Sequence, residues 1–109
     1  MKTYEGRRQG HAVIVTVNGR PLNPRLDLYN HSLTGFEWGY GGSGPAQLAL
    51  ALLADHLAND REALDTYQRF KWAVIAELPR KQRWTLTSRE IDQALERIRE
   101  PEIAAGGSV

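Results

Sequence analysis

From residue 2 to residue 30 polar and apolar positions alternate along the chain, and from residue 45 onward the apolar ones recur every three or four. The first pattern is that of strands and the second that of helices. HAVIVTV (11–17) is rich in β-branched residues and runs into Asn18-Gly19, the dipeptide best suited to the positive φ angles of a tight hairpin turn. Its preceding partner is KTYEGRR (2–8), joined through Gln9-Gly10. The arm after Asn18-Gly19 must be short, because Pro21 and Pro24 cannot donate to a ladder. Val13, Val15 and Val17 share one face and Ile14 and Thr16 the other, as expected of a strand covered on one side by helices. RLDLYN (25–30) reads as one more extended segment. So does GFEWGYGGSG (35–44), in which period two puts Phe36, Trp38 and Tyr40 on one side.

Three helices follow. The first starts at Pro45, with Ser43 or Gly44 as its N-cap, and runs to Leu57. Leu48, Leu50, Leu52, Leu53 and Leu57 with intervening alanines make it apolar nearly all round, the mark of a central helix. Asn59 or Asp60 caps a second helix that is expected to reach Leu78 and stop at Pro79. On its wheel Ala63, Tyr67, Phe70, Val74 and Leu78 form the inner stripe, flanked by Leu64 and Ile75. Trp72 falls nearly opposite, among Arg61, Asp65, Gln68 and Arg69. After the basic connection PRKQR (79–83), Trp84-Thr85-Leu86 forms a short returning strand. Thr87-Ser88-Arg89-Glu90 then matches a capping box, opening a helix that buries Ile91, Ala94, Leu95 and Ile98. The fold expected is one α+β domain over residues 1–100, a small, mainly antiparallel sheet packed against three helices with the first central. Residues 101–109 form a frayed tail.

Composition narrows the chemistry. The chain has 109 residues, 41% of them apolar, enough for a core without metal or disulfide staples, and it has no cysteine. Thiol nucleophiles and thiolate metal sites are therefore excluded. No signal-peptide pattern and no apolar run of membrane length is present, so a cytoplasmic location is expected. Fourteen basic residues against 13 acidic ones leave a net charge of +1, so any basic surface must be local.

Gly39, Gly41 and Gly44 have the G-x-G-x-x-G spacing of a dinucleotide-binding turn. The following context is wrong for it: the helix after the turn leads to a second helix, and the acid about 20 positions on, Glu62, lies at the start of that helix. No Gly-Lys-Ser/Thr follows, so it is not a P-loop either. The favoured reading is architectural, glycines that let an aromatic segment turn sharply into a core helix, with anion binding at the helix start as the alternative. No cofactor is expected. His11, His31 and His56 lie on three different elements without a helical i, i+4 partner, so no metal site is expected. His31 beside Ser32, with Asp27 and Glu37 near in sequence, supplies only fragments of a catalytic triad, and Asn30-His31-Ser32 reads more simply as a turn.

Two binding readings remain. Trp72 with Arg69, Arg61 and Asp65 has the residue types of a protein-binding hot spot, unless the third helix or the tail folds over Trp72 and makes it core. Arg80, Lys81 and Arg83 beside Trp84 have those of a phosphate grip with a stacking ring, although Trp84 reads more simply as a core residue opening its strand and the three cations as a solvated connection.

YEGRR near the start, VNGRPLNPRLDLYNHS, GFEWGYGGSGPAQLALALLAD and the later YQRFK together resemble an uncharacterised bacterial family, a domain of unknown function, over roughly residues 4 to 92. The resemblance implies a protein carried on chromosomes, phages, plasmids and other mobile elements, and brings no catalytic residue, cofactor or activity with it. The leading expectation is thus a non-enzymatic module that binds a host protein or protein complex, an accessory or counter-defence factor of a mobile element. A nucleic-acid-binding accessory protein is the alternative.

Overall fold

The computed structural model describes residues 1–32 and 35–99, so the expected tail at 101–109 lies outside the described residues. β1 (Thr3–Gln9) and β2 (Ala12–Val17) pair antiparallel in the register Tyr4 to Val17. The Asn18-Gly19 turn, with φ of 49° and 82°, feeds β3 (Arg20–Pro21), which ends at its proline. β4 (Trp84–Thr87) returns beside β1, giving a four-stranded antiparallel sheet in the order β3-β2-β1-β4. Val13, Val15 and Val17 pack toward the core, while Ile14 stays outside it.

α1 (Ser43–Leu57) is buried without interruption from Gly44 to Ala54 and is the central helix of an α+β fold. It starts two residues before the expected Pro45: Gly42 is the N-cap, and Pro45 is tolerated in the first turn because no intrahelical bond needs its missing N–H. α2 (Asp60–Ala73) is capped by Asn59, whose side chain accepts from the Glu62 N–H at 3.1 Å. α3 (Ser88–Arg99) begins with the expected capping box: Thr87 Oγ1 accepts from the Glu90 N–H at 3.2 Å, and the Glu90 carboxylate accepts from the Thr87 N–H at 3.0 Å. Ile91, Ala94 and Leu95 are buried beneath it.

Three expected elements also need correction. RLDLYN is a turn, not a strand. Arg25 takes a left-handed conformation (φ 55°) and pairs with both Asp27 and Asp60 at 2.8–3.1 Å, and Leu28 N–H bonds back to its carbonyl. Fully buried Gln47 of α1 then fixes this loop, donating to the carbonyls of Pro24 (2.7 Å) and Tyr29 (3.0 Å) and accepting from the His31 N–H (2.8 Å). Residues 35–42 likewise form no strand, since Gly39 N–H bonds the carbonyl of Ile75 rather than a ladder. The α2 helix stops at Ala73 instead of Leu78. Ile75–Glu77 tighten into one 3₁₀ turn, which buries Ile75 completely and presents its carbonyl to Gly39 at 3.0 Å. Leu78 is extended, as the residue before Pro79 must be.

Candidate functional site

Trp38 and Trp84 form the aromatic centre of the molecule, edge to face at 5.7 Å. Trp38 is fully buried and its indole N–H donates to the Pro79 carbonyl at 3.1 Å. Arg8 of β1 lies 4.4 Å over the Trp38 ring. Its guanidinium forms a bidentate pair with Glu37 (2.8 and 3.1 Å) and donates to the Arg80 carbonyl at 2.7 Å. Held by Arg8, the Glu37 carboxyl titrates below its ordinary value. Strand β1, the glycine turn and the 79–83 connection are locked together here by one residue.

Close packing explains the three glycines, Gly39 and Gly44 against members of this lock and Gly41 against Trp72. Gly39 has φ 87° and lies so close to the Arg80 backbone that a Cβ would stand 2.6 Å from the Arg80 Cα. At Gly41 a Cβ would occupy the space of the Trp72 ring edge, and at Gly44 one would press on Glu37. The G-x-G-x-x-G spacing therefore matches three close contacts within the protein, in a chain whose turn follows no strand and whose α1 leads directly into α2.

Trp72 is 60% exposed and does not belong to the core. It is nevertheless held. Gly41 receives one edge of the ring, and the Lys71 Nζ stands 4.5 Å from its centroid. Arg61, Asp65 and Arg69, which the helical wheel groups with Trp72, are all exposed on the same face of α2. Leu64, expected to flank the core stripe, is exposed at the edge of this face instead.

The adjoining surface was not legible in the sequence. His31 shares a 2.6 Å hydrogen bond between its Nε2 and the Tyr67 hydroxyl and is stacked on Tyr29 at 4.2 Å, while Tyr67 accepts from Gln68 at 3.2 Å. Burial, and then the charge of Lys71, hold the His31 pKa below its ordinary 6.5. On the other side of Trp72, Arg80 lies 4.7 Å over the Tyr40 ring, which folds back over Gly42. A band of exposed rings and cations thus runs from Tyr29 across α2 to Tyr40. It includes four large exposed hydrophobic residues: Tyr29, Leu64, Trp72 and Tyr40. No sequence period joins them, since they come from two loops and a helix.

The other candidates are dispersed. Trp84 is 5% exposed and packs over Gly6, so its ring is closed to a stacking base. Arg80, Lys81 and Arg83 are exposed, and Arg83 faces Glu5 at 3.8 Å. The fragments around His31 do not assemble into a triad, because Asp27 pairs with Arg25 and Glu37 with Arg8. Among the described residues no three His, Asp or Glu side chains gather to hold a metal. A groove beside β3, with adjoining hollows of about 250 and 550 Å³, is lined by Asn23 and Asp55. Its acid is already occupied: Asp55 accepts from Lys2 at 3.0 Å and from the Tyr4 hydroxyl at 2.6 Å. Burial, together with that bond, raises the Tyr4 pKa far above the ordinary phenol value.

The family model for a family of unknown function matches residues 4–97, nearly the whole described chain. The chain belongs to that family, DUF6166. The match reaches every strand and helix described and includes the glycine turn, so all residues of the band around Trp72 lie within it. No curated protein and no solved structure matches the chain. No helix among the described residues is long and apolar enough to cross a membrane.

Proposed function

We propose that the protein is a non-enzymatic binding module that docks a protein partner on the exposed face of α2, with Trp72 as the anchor. The observation that carries this reading is the state of Trp72: a large ring, 60% exposed, yet fixed between the Lys71 ammonium and the Gly41 backbone. An aromatic already immobilised loses little conformational entropy when a partner covers it, and so can give most of its area to binding. Arg61, Arg69 and Asp65 supply the polar rim. On a phage or another mobile element such a module would serve as an accessory or counter-defence factor that blocks a host complex. Affinity capture from host lysate, with the wild type beside Trp72→Ala, tests this. A partner is expected to be retained by the wild type and lost from a variant that still folds, and equal capture by both would remove Trp72 from the interface.

A second reading has one observation in its favour. Tyr40, 37% exposed with the Arg80 guanidinium over it, gives the basic connection the partly exposed ring that Trp84 does not. Nucleic-acid binding there would weaken steeply with salt. A gel shift at two salt concentrations tests it, and no shift at low salt would eliminate it.

A further inference from the structure

Of the buried polar and charged side chains, Ser32, Gln47, Thr66 and Lys71, only Lys71 carries a formal charge; it is 8% exposed. A lysine covered to this extent normally ends in an ion pair or hydrogen bond, its stem packed and its ammonium held at the edge of water. Lys71 enters none of the ion pairs or hydrogen bonds among the described residues; its ammonium lies over the Trp72 face and its charge also acts on His31. No carboxylate pairs with it among the described residues, and Asp65, the nearest acid before it on α2, is six residues or about 9 Å back along the helix. Arg69 and Arg61 lie on the exposed face of the same helix, and Gly41, under Trp72, leads directly into the start of α1, which no side chain caps and which has no acid in its first turn. The neighbouring His31 is bonded to Tyr67 and, as an imidazole, has no negative charge to offer Lys71. Yet the ammonium is not sealed: the single fully enclosed polar side-chain atom without a partner among the described residues is the Trp84 indole nitrogen.

We propose that Lys71 receives a carboxylate from the docked partner, so that the partner presents an acidic side chain next to the apolar or aromatic residue it lays on Trp72. This rests on the α2 docking face proposed above and adds the chemistry of its ligand. A carboxylate placed there would neutralise Lys71 without displacing any existing bond. Asp65, on the same face and seven residues before Trp72, lies roughly 10 Å away along the helix and disfavours the reverse orientation.

The test uses the full chain and random twelve-residue displayed peptides, selected on the wild type and counter-selected on Trp72→Ala. The winning peptides, and twins in which each Asp or Glu is replaced by its amide, are measured by fluorescence anisotropy against the wild type, Lys71→Met and Lys71→Arg. Expected are peptides that pair an acid with a neighbouring aromatic or apolar residue, at least tenfold weaker binding of the amide twin to the wild type, loss of that discrimination in Lys71→Met and its recovery in Lys71→Arg. Lys71→Met should melt close to the wild type, since it keeps a packed stem of similar length and breaks no ion pair or hydrogen bond among the described residues. Equal binding of acid and amide twins, or discrimination that survives in Lys71→Met, overturns the inference and leaves the docking face standing. Failure to select any Trp72-dependent peptide removes the docking face and this inference with it. A single-stranded oligonucleotide that binds through Lys71 when no peptide does would assign the cation to phosphate and overturn the proposal.

Discussion

Trp72→Ala separates an anchor from a core residue by energy. With 60% of the residue exposed, about two-fifths of its surface is covered. Taking roughly 250 Å² for a whole Trp, that is about 100 Å², worth about 2.5 kcal/mol at 25 cal/mol per Å². Losing the Lys71 contact costs about 0.5 kcal/mol more, and the higher helix propensity of alanine returns about as much. The part of the covered area that alanine retains brings the expected cost to about 2 kcal/mol. For a chain of this size that lowers the melting temperature by about 8 °C. Trp38→Ala is the reference. It empties a fully buried site, removes the ring under Arg8 and leaves the Pro79 carbonyl unpaired. A cost of about 3–5 kcal/mol or more is expected there, a large share of the stability of an ordinary domain. Urea unfolding followed by far-ultraviolet circular dichroism compares the two without relying on the fluorophore being removed. If Trp72→Ala proves as costly as Trp38→Ala, Trp72 is a packing residue and the anchor argument fails.

Gly41→Ala should shift the Trp72 indole N–H resonance and cost about 1 kcal/mol, because the backbone there has no positive φ and the added Cβ unseats the ring without reaching the core. The shift should be larger than that of either other indole. Thr87→Ala should destabilise by about 1 kcal/mol through loss of the α3 cap, read as a lower urea midpoint at unchanged slope. The pH dependence has a determined sign. Glu37 titrates lower in the folded chain than in the unfolded one, so its pairing with Arg8 stabilises fully above the ordinary value of 4.5 and is lost as pH falls through the lowered one. Glu37→Gln should flatten that acid limb. His31 is also lowered, so its protonation opposes folding below about pH 6.5, and its ring resonances should titrate with a midpoint below that value. A midpoint above it would contradict the burial assigned to the ring.

Local chemistry carried the hairpin, the apolar α1 and the α3 cap. Each depends on residues adjacent in the chain: the Asn18-Gly19 turn, the unbroken apolar run from Ala46, and Thr87 with Glu90 three residues on. The same local pattern placed Trp72 correctly on the outer face of α2. What it could not contain were bonds between distant segments. Alternation in RLDLYN promised a strand, but Gln47 and Asp60 claimed that loop from α1 and α2. Period two in GFEWGYGG promised another, but Arg8 and Ile75 claimed its polar groups. Residues whose hydrogen-bonding groups are satisfied by neighbours in sequence reveal their structure in sequence. The fate of Trp84, the unpaired charge of Lys71 and the ring band from Tyr29 to Tyr40 depend on which segments meet, and only packing of the whole chain decided that.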